Sequence, residues 1–164
     1  MIDVHFAIDF FDGALSHLWD EAAIETHLDE LVTLDDPIEG AVAIGEAEIL
    51  DALPSAVLRL CFQCCDALLV PSGAYHYRYE AENLSANLQT SEDGTMIAVS
   101  GFGLPSQVLP ARELVPALYG CGMRYIALLE RLEALGRPSY TLSLREAAAA
   151  THALLARRGW LLPG

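Results

Sequence analysis

Phe6-Ala7-Ile8-Asp9-Phe10-Phe11-Asp12-Gly13 puts two carboxylates at the end of an apolar run, where a strand-end aspartate could attack a phosphate. Phosphatases built that way set their aspartates two positions apart, so both leave the strand on one side. Asp9 and Asp12 are three apart and leave a continuing strand on opposite faces. That design also uses a lysine, and the chain has none. The segment Cys61-Phe62-Gln63-Cys64-Cys65 contains a CxxC. A zinc site needs four ligands; Cys121 is a third and His76 or His152 a distant fourth, with no second CxxC and no HxxxH. A redox CxxC sits at a helix N-terminus after a strand, whereas this one falls mid-helix, so the thiols read as small buried side chains.

His5, beside Asp3 and near Asp9, has the parts of an acid–base group, yet its alternation reads as a solvent-facing position. The other histidines, His17, His27, His76 and His152, are scattered, and no GxSxG elbow accompanies them. Gly101-Phe102-Gly103 lacks the GK[ST] of a phosphate loop and reads as a turn. The expectation is a protein with no catalytic residues, no cofactor and no metal.

Charge carries more information than any motif. The 164 residues hold 23 carboxylates and 9 cations, all arginine, for a net −14. Residues 1–58 contain 14 of the carboxylates and no Lys or Arg, while residues 59–164 carry 9 of each sign. Such a surface disfavours nucleic acid and anionic membranes and favours a basic protein. Glu21, Glu25 and Asp29 stand at i, i+4 and i+8 of one expected helix, a stripe with no cation in it; Asp35, Asp36 and Glu39 extend it. Like charges at that spacing cost about 0.2–0.5 kcal/mol per pair, so the six residues form a candidate partner-binding face or a solubility device.

The elements follow from periodicity. Ile2, Val4, Phe6, Ile8 and Phe10 alternate with polar or small residues, predicting a strand with one face in the core. Helices are expected over about Asp20–Leu34 and from Pro54 to about Leu69, with Gly40–Ile44 a short strand between them. In the first helix Ala23, Ile24, His27, Leu28 and Leu31 face inward; in the second Val57, Leu58, Cys61, Cys65 and Leu68 do. Tyr75–Glu80, Leu84–Thr90 and Thr95–Gly101 alternate with period two, and Asp93-Gly94 supplies the hairpin turn. Leu114, Leu118, Cys121, Tyr125, Leu128, Leu132 and Leu135 then step by 4, 3, 4, 3, 4 and 3, one apolar helical stripe that should lie across the hairpin. Pro116 places the regular start of that helix near Val115. Ser143 with Glu146 forms a capping box for a last helix, Leu144–Arg158, after which Trp160-Leu161-Leu162 folds back on the core.

Tyr77-Arg78-Tyr79-Glu80, Asp93-Gly94-Thr95 to Ser100-Gly101, Glu113-Leu114-Val115-Pro116-Ala117-Leu118-Tyr119 and Arg124-Tyr125-Ile126-Ala127-Leu128-Leu129-Glu130 resemble small bacterial immunity proteins encoded beside polymorphic or contact-dependent toxins. The resemblance covers roughly the second half of the chain and implies a cytoplasmic inhibitor of a cognate toxin domain, often a basic nuclease.

The reading is a single α+β domain over residues 1–164: an antiparallel sheet of about four to five strands with three to four helices packed mainly on one face. Its leading function is non-enzymatic toxin neutralisation through the acidic N-terminal third. One alternative is a small-molecule-binding or hydrolytic domain with a pocket between the Tyr75–Gly101 hairpin and the 115–135 helix; another is a homodimer joined through the tyrosine face. No window approaches the roughly 18 apolar residues of a membrane span, and Asp3, Asp9 and Asp12 without an early cation argue against a secretory signal, so the protein is expected in the cytoplasm. Protein purified without chelator should contain below about a tenth of an equivalent of zinc; a stoichiometric value in elemental analysis would overturn the reading of Cys61, Cys64 and Cys65.

Overall fold

The computed structural model describes residues 2–11, 15–33, 38, 40–45, 47–52, 61–62, 64–79, 84–101, 106–137 and 142–161; residues 11, 15–17, 47–52, 64, 77–79, 84–86 and 142–143 are described by their backbone alone. Within them the order is β1 (Val4–Phe11), β2 (Leu15–Leu18), α1 (Glu21–Glu25), α2 (Leu28–Thr33), β3 (Gly40–Ile44), β4 (Ala47–Ala52), α3 (Cys64–Leu68), β5 (Ala74–Tyr79), β6 (Leu84–Thr90), β7 (Met96–Gly101), β8 (Gln107–Pro110), α4 (Ala111–Ala134) and α5 (Leu142–Arg158).

The class is α+β, with the strands divided between two antiparallel sheets of four instead of one sheet of four to five. The first runs β2-β1-β3-β4, the second β5-β6-β7-β8. Three strands lack a clean signal in the sequence. Leu15–Leu18 is four residues long, Ala47–Ala52 does not alternate, and Gln107–Pro110 ends in a proline. The β3–β4 register also slips between Val42 and Ala43.

β1 lies between β2 and β3, and Phe6, Ala7, Ile8 and Asp9 are all buried. A one-faced strand would have left Ala7 and Asp9 in solvent; here only Asp3 and His5 stay exposed. In the second sheet the alternation holds: Leu88, Ile97 and Val99 are buried, while Gln89, Ala98 and Val108 are exposed. Gly94 takes φ 75 in the connecting turn, and Asp93 Oδ1 accepts from Ser91 Oγ (2.6 Å), Thr95 N (3.0 Å) and Thr95 Oγ1 (2.8 Å). Those donors favour the carboxylate and hold its pKa down at about 2. Tyr75 packs against the core; the side chains of Tyr77 and Tyr79 lie outside the described set.

The long helix α4 is the common wall. It starts at Ala111, four residues earlier than Pro116 suggests, because the ring sits only in the second turn. Its lost N–H bond falls on the carbonyl of the exposed Arg112, which water can satisfy. The stripe from Leu114 to Leu132 is buried as its spacing predicts, whereas Leu135 is the C-cap residue and is half exposed. Both long helices close the same way. Gly136 N bonds Glu133 O and Arg137 N bonds Leu132 O; Gly159 N bonds Ala156 O and Trp160 N bonds Leu155 O. These are Schellman ends with glycine in the left-handed region. α5 begins at Leu142, so Ser143 lies inside the helix and is not its N-cap. Trp160 and Leu161 do pack back on the core, with the Arg158 guanidinium 5.4 Å over the indole, and Leu162 lies outside the described residues.

The expected helix Asp20–Leu34 is two short helices. Thr26 N bonds Ala23 O and His27 N bonds Ile24 O, and Thr26 Oγ1 takes Ala23 O as well (2.7 Å), which tightens the turn and interrupts α1. The inward face survives the break: Ile24 and Leu31 are buried, and Ala23, His27 and Leu28 half-buried. The helix expected from Pro54 is described only from Cys61, where a π turn at Cys61 and Phe62 leads into α3; Cys61, Cys65 and Leu68 are buried, and Val57 and Leu58 lie outside the described residues.

Gly122 lets α4 approach that π turn. A Cβ there would stand 2.6 Å from Phe62 Cζ and 2.8 Å from Cys61 Cβ. Helix propensity alone favours Gly122→Ala by about 1 kcal/mol. Overpacking reverses the sign, and the expected net loss is about 1–3 kcal/mol by urea denaturation. Leu128→Ala should cost about 2–5 kcal/mol. An unchanged midpoint for either variant would mean that α4 does not carry the core.

Candidate functional site

The acidic stripe folds onto arginines that the sequence places a hundred residues away. Asp20 caps α1 through Oδ1, accepting from Ala22 N (2.9 Å) and Ala23 N (3.4 Å). Glu21 Oε1 then accepts from Arg124 Nε at 2.8 Å, and Arg124 Nη2 also donates to Val4 O at 2.8 Å. One turn later Glu25 Oε1 accepts from both Arg131 Nη1 and Nη2. Past the end of α4, Arg137 Nη1 donates to Leu31 O at 2.8 Å. One guanidinium thus ties α1 to β1, a second closes α1 on α4, and a third caps the end of α2.

No cation stands within the stripe itself, but the fold sets two arginines of α4 against it. The signal was present: Arg124 and Arg131 are seven apart on α4, each immediately before a stripe residue, Tyr125 and Leu132. Residues so placed flank the buried seam and emerge together on one side of the helix. What the sequence could not supply is that α1 lies alongside that side.

Asp29 is exposed and carries no ion pair among the described residues. Glu30 meets His27 Nδ1 at 3.1 Å, while the His27 ring lies 5.2 Å from Phe10. Asp35, Asp36 and Glu39 lie outside the described residues. Two hollows flank the Glu21–Arg124 pair. On one side is a cleft of about 400 Å³ lined by Ile2, Asp3, His5, Arg112, Glu113 and Ala117 among others. On the other a groove of about 150 Å³ runs between α1 and α4, floored by Phe6, Ile24 and Leu128 and spanned by both ion pairs. His5 therefore stands in a mixed-charge cleft, and Asp9 lies in the core. There its charge, after burial itself, helps push the Tyr125 hydroxyl well above the usual tyrosine range.

Between the hairpin and α4, Leu88, Ile97, Val99, Leu114, Val115 and Leu118 are all buried in one core. A further groove, about 310 Å³, opens on the outer face of the second sheet beside Gln89, Met96, Ala98 and Val108. Cys61, Cys65 and Cys121 are buried, the Cys64 side chain lies outside the described set, and Cys65 Sγ donates to Cys61 O at 3.0 Å. Among the described residues no group of three or more His, Cys, Asp or Glu side chains is placed to hold a metal ion, and no helix is long and apolar enough to cross a membrane.

Against known proteins, no family model, no curated protein and no solved structure matches the chain.

The pairs change what neutralisation of α1 should do. Charge repulsion alone predicts that Glu21→Gln with Glu25→Gln leaves stability unchanged or raises it. With an arginine on each carboxylate and both partners about 40% exposed, the double variant should instead lose about 0.2–1 kcal/mol per pair in low salt, and less in high salt. Urea unfolding at two ionic strengths measures this, and a gain in stability would contradict the pairing.

Proposed function

We propose that this protein is a non-enzymatic, stoichiometric immunity protein that binds a basic bacterial toxin domain through its acidic N-terminal third, in the cytoplasm. The observation that carries the reading is the charge asymmetry: 14 carboxylates and no Lys or Arg in residues 1–58. The geometry supports it by leaving a surplus. The internal arginines meet Glu21 and Glu25, while Asp3 and Asp29 stay exposed. A negative field of that kind steers a cationic partner into encounter and chiefly raises the association rate.

Immunity requires a toxin gene beside this one, and its basic domain supplies two tests: protection of cells that express it, and stopped-flow association with it at low and high salt. The wild type should protect, with an on-rate that falls steeply as salt rises. A variant with Glu21, Glu25, Asp29, Asp35, Asp36 and Glu39 changed to Gln or Asn should associate more slowly and with a nearly flat salt dependence. Full protection with the wild-type salt slope would reduce the acidic face to a solubility device, and absence of protection by the wild type would end the immunity reading.

A further inference from the structure

We propose that Glu21 and Glu25 are positioning residues rather than partner contacts: they hold α1 on α4 and, with buried Leu31 and the Arg137–Leu31 bond that seat the end of α2, they set the direction in which α2 presents Asp29. The inference rests on the docking function above. Four observations lead to it. Each carboxylate is already engaged by a guanidinium from α4, Glu21 by Arg124 and Glu25 by Arg131. An arginine fork fixes the orientation of its carboxylate as well as its charge. α1 is five residues long, too short to hold its own helical geometry without tertiary contacts. The hollow between α1 and α4 leaves Ile24 as the buried side chain of α1, so ion pairs, and not continuous apolar packing, span that gap. Asp29 follows in the next short helix, exposed and without an ion pair among the described residues.

Reversal of the pair separates positioning from contact. Glu25→Gln opens one latch, whereas Glu25→Arg combined with Arg131→Glu restores an ion pair while inverting the charge displayed on α1. The first measurement needs no partner. Amide exchange over residues 21–27 should quicken about two- to fivefold in Glu25→Gln and return to the wild-type rate in the swapped protein. The second is association with the toxin domain encoded beside the gene, which should slow in Glu25→Gln, slow in Asp29→Asn, and recover in the swapped protein.

Unchanged exchange in Glu25→Gln overturns the inference whatever the partner does. Restored exchange with association still lost also overturns it, because Glu25 would then touch the partner; the docking function would stand. If Asp29→Asn and every other variant associate like the wild type, the docking function fails and this inference fails with it.

Discussion

One helix has to be buried by two sheets at once. α4 is wetted on a single side, and its apolar stripe meets Phe6 of the first sheet, whose ring lies edge-on at 4.9 Å from Tyr125, as well as the buried residues of β7 and the strand β8 that leads into it. α3 and α5 close over the remaining surface. Their seating is fixed by buried hydroxyls as well as by apolar contact. Thr90 Oγ1 donates to Leu68 O at 2.9 Å, and Thr151 Oγ1 reaches Phe62 O at 3.5 Å. Both use carbonyls in the short α3 region, where too few helical turns exist to satisfy them internally. Displacing α4 would therefore expose both sheets and unseat two helices together, which is the cooperativity expected of a single connected core.

The sequence disclosed the parts whose order depends on neighbours close in the chain. The hairpin turn at Asp93-Gly94, the alternation through Ile97 and Val99, and the stripe from Leu114 to Leu132 are local patterns with a single solution. It concealed what depends on distant partners. β1 alternates as a half-exposed strand, yet in the fold Phe6, Ala7 and Ile8 are all buried, and Asp9 goes in with them. β4 has no pattern of its own and exists because β3 offers it an edge. The acidic stripe was legible as charge but not as structure, since a one-residue preference of Thr26 for the Ala23 carbonyl divides the helix that would have carried it. The arginines opposite it were visible at heptad spacing, and only the tertiary fold says what they face.

The arginines act as staples more than as surface charge. Arg124, Arg131, Arg137 and Arg158 each bond a group on an element other than their own, and Arg145 bridges α5 to Glu130 and Glu133 of α4. Three of these five donate to backbone carbonyls, at Val4, Leu31 and Leu69. A guanidinium can serve a carboxylate and a carbonyl together, as Arg124 does, where a lysine would offer a point charge without the fork. The cations of the second half are thus partly consumed in holding the first half down, and the net charge that remains belongs to the N-terminal third.

Among the described residues, eight strands divided into two sheets present four edges, and they are not equivalent. β4 lies against β6, and β5 lies against α3. The other two edge strands, β2 and β8, are each only four residues long, and β8 ends in Pro110, which has no N–H to offer. Short strands and proline are among the devices that keep a sheet edge from templating another chain. Open-ended polymerisation by strand addition therefore has little purchase here: a copy aligned on either edge would find too few consecutive donors and acceptors to propagate a ladder, even at concentrations where a flatter, longer edge would seed fibrils.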